Sequence, residues 1–170
     1  MSGPIRPSVR LAATPEERAD AYAVRHDVFV TEQGVPADLE QDPYDESADH
    51  IVAYVGGVAV GAGRLVVEPA GFEGTDPGLG PVGHLGRLAV RPQVRGSGLG
   101  IELVREVERR AAERGLRVVV LGAQTHAIGF YARLGYTAYG EEFDDAGLPH
   151  RWMRRLTGVD DSSEAFAPIR

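Results

Sequence analysis

The stretch QVRGSGLG, from Gln93 to Gly100, constrains the fold of this chain more than any other. Three glycines fall within five residues, the strand-like run VGHLGRLAV precedes them, and a helix-like stretch follows at once. Glycines let the backbone approach a ligand closely, and the first turn of a helix has N–H groups without internal partners. Because the helix dipole adds positive charge there, the turn predicts a pyrophosphate site, to which Arg95 can add a full charge.

Two other interpretations of this turn exist. An isolated Gly-x-Gly-x-x-Gly is a weak signal, so the turn could simply connect a strand to a helix. A dinucleotide-binding turn lies in the first βα unit and is followed, about 20 residues later, by an acidic residue. Here the turn lies in the middle of the chain, and the next strand, RVVVL, ends without an acid. The dinucleotide interpretation therefore fits poorly.

Composition excludes several classes of protein. The chain has 170 residues, no cysteine and a net charge of −7, and all 18 of its basic residues are arginine. These counts exclude disulfides, cysteine nucleophiles and lysine-dependent phosphate loops, and they disfavour a nucleic-acid-binding face. The five histidines lack metal-site spacing, so no metal is predicted. Neither a signal peptide nor a membrane span is recognisable, and a cytoplasmic protein is expected.

The remaining pattern predicts strands and helices in the order β-α-β-β-β-α-β-α-β-β. Thr14-Pro15 opens the first helix, and Gly56-Gly57 joins two strands as a hairpin. This order implies an α/β (α+β) fold in which a mixed sheet is flanked by helices. We expect one domain over residues 8–157 and an acidic, flexible tail over residues 158–170.

Two segments resemble the GNAT-type acetyltransferases. In LAVRPQVRGSGLG, Arg95, Gly98 and Gly100 match that family's cofactor motif, Arg/Gln-x-x-Gly-x-Gly/Ala. FYARLGY, from Phe130 to Tyr136, is similar to its Phe-Tyr-x-x-Leu-Gly-Phe/Tyr segment. RHDVFVTEQGVP and EEFDDAGLPHRWM further resemble the ElaA-type subgroup. The resemblance implies a mixed, mostly antiparallel sheet of six to seven strands with a splayed central parallel pair, formed by HLGRLAV and RVVVL.

The resemblance also implies residues that bind acetyl-CoA, and no metal. Backbone amides would contact the pantetheine and thioester from one strand and wrap the pyrophosphate from the glycine-rich turn. These residues are Leu88, Ala89, Val90, Arg95, Gly96, Ser97, Gly98, Leu99 and Gly100. Tyr131 matches the family's tyrosine, which acts as general acid and also contacts the cofactor. Gln124 stands where many relatives have asparagine, so its cofactor contact is an expectation from position.

The helix that carries Tyr131 is predicted to bury Ala127, Phe130 and Leu134. Tyr131 would then lie at the edge of this buried stripe, where its hydroxyl reaches the cleft. The alternative is an ordinary half-buried tyrosine with a satisfied hydroxyl.

The general base is open, because RVVVL lacks the glutamate that many relatives use. His84 and Glu32 are the base candidates, with His150 as a further one, although each could instead be structural or solvated. A histidine has an ordinary pKa near 6.5, which suits this work.

The charge of the acceptor is also open at this level. The segment ADLEQDPYDESAD is read as a loop whose six carboxylates either attract a cationic amine or simply solubilise the surface. Arg25 and Arg87 could instead hold an acceptor carboxylate.

The expected function is acetyl transfer from acetyl-CoA to the primary amine of a small molecule or peptide, by direct attack on the thioester. The alternatives are an acyl-CoA-binding module with little catalysis and, from Arg25-x-x-x-Phe29, an enzyme similar to acyl-homoserine-lactone synthases. The closing strands could pair across a homodimer.

Overall fold

The structure, a computed structural model, describes residues 6–158. It contains seven strands: β1 (Ser8–Leu11), β2 (Asp49–Val55), β3 (Val58–Glu68), β4 (Val82–Val90), β5 (Val118–Gln124), β6 (Thr137–Asp145) and β7 (Leu148–Leu156). Its α-helices are α1 (Pro15–Arg25), α2 (Ala37–Glu40), α3 (Leu99–Glu113) and α4 (Ile128–Arg133). No helix within the described residues is long and apolar enough to cross a membrane.

The strands form one mixed sheet in the order β1-β2-β3-β4-β5-β7-β6. The central pair, β4 and β5, is parallel, and its register pairs Gly83 with Val119 and His84 with Val120, near the start of both strands. β1 with β2, β2 with β3, β5 with β7 and β6 with β7 are antiparallel. The predicted mixed sheet with a central parallel pair and flanking helices is confirmed, with seven strands.

The described residues divide into two compact units. The first contains the chain up to Val66 together with Leu85–Val107, and the second contains Val67–His84 together with the chain from Glu108. A single domain over residues 8–157 stays a prediction. The predicted tail lies outside the described residues beyond Gly158.

In the first unit, α1 begins as its sequence predicts. Thr14 is the N-cap, its hydroxyl accepts from the amide of Glu17 at 3.1 Å, and Pro15 occupies the first turn. The helical spacing of Ala21, Val24 and Val28 buries all three against the sheet, in a cluster completed by Ala12, Val52, Ala62 and Ala89. The Gly56-Gly57 turn has φ of 57° and 79°, which is the left-handed geometry that a two-residue hairpin requires.

In the second unit, β5 buries Val118, Val119, Val120 and Leu121, as expected of a strand that is apolar on both faces. It pairs along its whole length with β7, from Val118 opposite Leu156 to Gln124 opposite His150. This pairing places the end of β5 beside His150 and Arg151 of β7.

The segment read as an acidic loop is partly helical and partly buried. It contains α2 and a 3₁₀ turn at Pro43–Glu46, and Glu40 and Asp45 are only 4% and 8% exposed. Both carboxylates bind Arg25, whose side chain is 1% exposed, at 2.6 Å and 2.8 Å. The interpretation of this segment as a solubilising loop is therefore incomplete, because a buried guanidinium requires carboxylates as partners.

Two further arginines complete this ion cluster. Arg64 on β3 donates to Asp42 at 2.7 Å and to Asp45 at 3.0 Å. Arg87 on β4 donates to the carbonyl of Glu40 at 3.1 Å and to Asp42 at 3.2 Å. We call Arg25, Glu40, Asp42, Asp45, Arg64 and Arg87 the ion cluster. Burial would raise the pKa of Asp45, but hydrogen bonds from Arg25, the amide of Asp42 and Arg64 outweigh it and lower this pKa well below its ordinary value of 3.8.

Replacing Arg25 by methionine should destabilise the protein by about 3–5 kcal/mol, because it leaves two buried carboxylates without their main cation. The matched control is Arg10→Met, which removes the exposed Arg10–Glu17 pair and should cost at most about 1 kcal/mol. Urea unfolding at neutral pH measures both losses. Equal, small losses would contradict the structural role of the cluster.

The ion cluster also makes stability depend on pH. Since the pKa of Asp45 is lowered on folding, its contribution is present above pH 4 and is lost as the pH falls toward its folded value.

Candidate active site

The glycine-rich turn of the first unit leads from β4 into α3. A 3₁₀ turn at Pro92–Val94 is followed by Gly96 and Gly98, whose φ values are 81° and 88°. The amide of Glu102 donates to the carbonyl of Gly98 at 3.2 Å, so Gly98 caps α3. A Cβ on either glycine would meet nothing within 4 Å. Glycine is therefore required for conformation, and the first amides of α3 are left without helical carbonyls.

The conformations favour a motif frame that the sequence analysis did not use. Gly100 lies inside α3, where a left-handed φ is not needed. Gly96 and Gly98 follow Gln93 by three and five residues, so Arg/Gln-x-x-Gly-x-Gly also fits with Gln93 first. The sequence contains this signal, but the two overlapping matches cannot be ranked without the backbone.

Acidic residues of a π-helix bind the arginines that flank this turn. The π-helix, His26–Glu32, continues α1, and such irregular helices occur often at functional sites. Glu32 binds Arg95 through two bonds of 2.7 Å, and Asp27 binds Arg91 at 2.7 Å. Arg95 also donates from Nε to the carbonyl of Val90 at 2.9 Å, which ties the turn to the end of β4.

This pairing bears on Glu32 as a candidate base. The Arg95 guanidinium lowers the pKa of Glu32, because it stabilises the charged carboxylate. A carboxylate with a lowered pKa accepts a proton from an amine less readily than an ordinary one. The structure thus places Glu32 beside the cofactor turn but weakens it as a base.

The expected thioester strand contains a local distortion. Arg87 has a φ of 51°, in the left-handed region, and it precedes Leu88, Ala89 and Val90 in β4. Residues other than glycine rarely adopt this backbone conformation, and such strain clusters at functional sites. The Arg87 side chain is held by α2 and the following turn, as part of the ion cluster.

Neither arginine suggested for binding an acceptor carboxylate is available in this structure. Arg25 is saturated by Glu40 and Asp45, and Arg87 binds the carbonyl of Glu40 and the carboxylate of Asp42. Burial and the positive charges of Arg64 and Arg25 lower the pKa of Arg87.

In the second unit, α4 buries Tyr131 rather than Phe130. Leu134 is buried as predicted, at 6% exposed, and Tyr131 is 9% exposed, whereas Ala127 and Phe130 are only half-buried, so the predicted stripe was wrong for these two residues. The cause is the 3₁₀ turn at Thr125–Ala127, because three residues per turn shift the helix relative to an α-helical pattern. Burial raises the pKa of Tyr131 to about 12, so its hydroxyl keeps its proton at neutral pH.

Gln124 precedes α4 in the sequence, and Tyr136 follows it. Gln124 is the last residue of β5 and lies opposite His150. The Tyr136 hydroxyl donates to Glu108 at 2.7 Å, and burial together with Glu108 raises its pKa well above the ordinary value. The rings of Tyr131 and Tyr136 lie 5.9 Å apart. The Tyr136 hydroxyl is bound to a carboxylate, whereas burial raises the pKa of Tyr131.

His84 on β4 has a carboxylate partner that the sequence analysis missed. Its Nδ1 lies 3.3 Å from Oε1 of Glu68, the last residue of β3. The ring also contacts Phe72 and Trp152, with centroids at 5.3 Å and 5.5 Å. His150 instead places its Nδ1 2.9 Å from the carbonyl of Leu148. Among residues 6–158, no group of three His, Asp or Glu side chains is arranged to hold a metal ion.

Comparisons with known proteins identify the family of the chain. Residues 12–157 match the sequence model of the acetyltransferase (GNAT) domain. The chain is 38% identical over 146 residues to YjcF of Bacillus subtilis (strain 168), an uncharacterized N-acetyltransferase, covering 85% of this chain and 96% of YjcF. ElaA of Escherichia coli (strain K12) is 30% identical over 130 residues, covering 75% and 80% of the two chains.

A solved structure gives the same result at the level of the fold. The crystal structure of an acyl-CoA N-acyltransferase from Pseudomonas aeruginosa aligns with a TM-score of 0.71 at 29% identity, covering 89% of this chain and 99% of that one. The chain belongs to the GNAT acetyltransferase family and is similar to its ElaA-like members. It is accordingly an acyltransferase.

Replacing Gly98 by alanine should weaken acetyl-CoA binding and cost about 1–2 kcal/mol of stability, because an alanine at this φ is strained. Gly100→Ala is the matched control, since alanine favours a helix over glycine by up to about 1 kcal/mol. Calorimetric titration of both variants measures the affinities. A larger loss in Gly100→Ala would reverse the choice of motif frame.

Replacing Glu32 by glutamine should strengthen acetyl-CoA binding by up to about fivefold. The pair with Arg95 is exposed and therefore weak, and breaking it frees the guanidinium for a phosphate. The same titration provides the measurement. Weaker binding in the variant would show instead that Glu32 holds Arg95 in its binding position.

Proposed function

We propose that the protein is an acetyl-CoA-dependent N-acetyltransferase that acetylates a primary amine of a small molecule or a peptide. The observation that carries this proposal is the glycine-rich turn, in which Gly96 and Gly98 adopt left-handed φ at the start of α3. This geometry suits a pyrophosphate, which acetyl-CoA contains. The similarity to an acyl-CoA N-acyltransferase supports a CoA-linked donor.

In the proposed complex, backbone amides from Arg95 to Gly100 bind the pyrophosphate. Those of Leu88, Ala89 and Val90 bind the pantetheine and the thioester. An amide directed at the thioester oxygen polarises the carbonyl and then stabilises the tetrahedral oxyanion. The distortion at Arg87 supports this role, because it turns the backbone immediately before these amides.

The reaction needs two proton transfers. The neutral amine attacks the thioester carbon, and its nitrogen gives a proton to the base, for which we propose His84. The intermediate then collapses, the C–S bond breaks, and the CoA sulfur takes a proton from the Tyr131 hydroxyl. The products are an N-acetylated amine and free CoA. His84 then releases its proton to solvent, and Tyr131 takes one up. Burial of Tyr131 supports this role, because its hydroxyl stays protonated until a thiolate forms beside it.

Replacing Tyr131 by phenylalanine should lower kcat by about 10²–10⁴-fold and leave acetyl-CoA affinity nearly unchanged, because only the proton donor is removed. Tyr136→Phe is the matched control. It removes the bond to Glu108, which costs about 1 kcal/mol of stability, and leaves turnover near the wild-type value. Release of CoA, measured with a panel of primary amines, gives the rates.

Three outcomes of this experiment would overturn parts of the proposal. Unchanged turnover in Tyr131→Phe would remove the acid role. Binding of acetyl-CoA without turnover on any amine would favour an acyl-CoA-binding module. Turnover only with S-adenosylmethionine as acceptor would favour a reaction like that of acyl-homoserine-lactone synthases.

A further inference from the structure

Glu68 and His84 form a pair that neither the sequence motifs nor the family assignment identifies. Glu68 is 7% exposed at the end of β3, and its Oε1 lies 3.3 Å from Nδ1 of His84, which is 24% exposed. A carboxylate can only accept a hydrogen bond, so Nδ1 must carry the hydrogen that lies between them. The pair therefore selects one tautomer of the neutral imidazole, in which Nε2 has the lone pair.

The ring of His84 is also fixed by aromatic neighbours. Phe72 lies beside one side of it, Trp152 meets it edge-on at 65°, and these two rings contact each other at 5.5 Å. Phe143 stacks on Trp152 at 5.1 Å and so helps to hold it in place. These contacts restrict the rotation of the imidazole, and they replace water around it with a medium of lower dielectric constant, in which a charge partner acts more strongly.

Titratable residues lie on several of the described elements around His84. Glu68 comes from β3, and β5 presents Val120 in register with His84 and no titratable residue between Val118 and Gln124. Glu73 follows Phe72 and Arg151 precedes Trp152 in the sequence. In the sheet, Tyr139 lies opposite Trp152, and Arg154 lies opposite Val120. Glu68 is a carboxylate in direct contact with the ring.

We propose that Glu68 is a positioning residue that holds His84 in the Nδ1–H tautomer and stabilises its imidazolium while His84 takes the proton of the acceptor amine. This inference rests on the proposed function, in which His84 is the base. Glu68 contacts no substrate atom, so its effect is exerted entirely through His84. The proton that His84 takes at Nε2 leaves to solvent after the transfer, and Glu68 keeps accepting the hydrogen bond from Nδ1.

The first experiment measures the tautomer and needs no activity. Long-range ¹H–¹⁵N spectra of the wild-type protein should show neutral His84 with its hydrogen on Nδ1. In Glu68→Gln, which keeps the size of the side chain, the spectra should show a mixture of tautomers, because an amide can donate as well as accept. His150 is the internal control in both proteins, since its Nδ1 is near a backbone carbonyl and should not change.

The second experiment measures acetyl transfer against pH. In Glu68→Gln, kcat should fall at least about tenfold, and the acidic limb of kcat/KM should move about one unit toward lower pH, because the charge that favours the imidazolium is gone. KM for acetyl-CoA should stay the same. Glu73→Gln is the matched control, since it removes an exposed carboxylate from the neighbouring turn and should leave the profile in place.

The results that would overturn the inference differ from those that would overturn the proposed function. A wild-type His84 with its hydrogen on Nε2 would overturn the inference directly, even if Glu68→Gln failed to fold. So would a variant that is only less stable and has an unchanged pH profile. Absence of acetyl transfer in the wild-type protein would instead remove the proposed function, and the spectra would still report on the pair.

Discussion

The burial of Arg25 is the constraint on which the first compact unit depends. A guanidinium that is 1% exposed is tolerated only if carboxylates surround it, and Glu40 and Asp45 supply them. These acids determine where the chain between α1 and β2 must run. The same segment holds Arg87 through the carbonyl of Glu40 and through Asp42. A structural ion cluster is thereby connected to the strand whose amides are proposed to meet the thioester.

Much of the fold is readable from local sequence. The cap at Thr14, the hairpin at Gly56-Gly57 and the apolar run of β5 each contain their own signal within a few residues, and the structure has each of them. The ion cluster has no local signal. Its arginines lie 15 to 47 residues from the acidic residues that they bind, so an acidic run that looks solvated can become buried when distant arginines meet it. The buried face of α4 was predicted incorrectly, because the 3₁₀ turn that precedes the helix is only three residues long and has no distinct sequence pattern.

The candidate site also contains residues that have a local sequence signal and partners that have none. The glycine-rich turn was predicted from the spacing of its glycines, and Tyr131 was assigned from the resemblance of FYARLGY to the family's segment. The partners of the predicted residues were not found. Glu68 precedes His84 by 16 residues, and Glu32 precedes Arg95 by 63. These contacts favour His84 over Glu32 as the proposed base, because His84 has a carboxylate beside its ring and Glu32 is paired with an arginine.

The central claim is that the turn before α3 binds acetyl-CoA, and a thermal and calorimetric titration tests it most directly. Acetyl-CoA and free CoA should both bind, and NAD should not. At one hundred times its dissociation constant, a ligand of the folded state adds about 2.7 kcal/mol of stability, which raises Tm by about 5 °C or more for a chain of this size. No binding of acetyl-CoA at millimolar concentration, or equal binding of NAD, would contradict the claim and leave the turn as a connection between strand and helix.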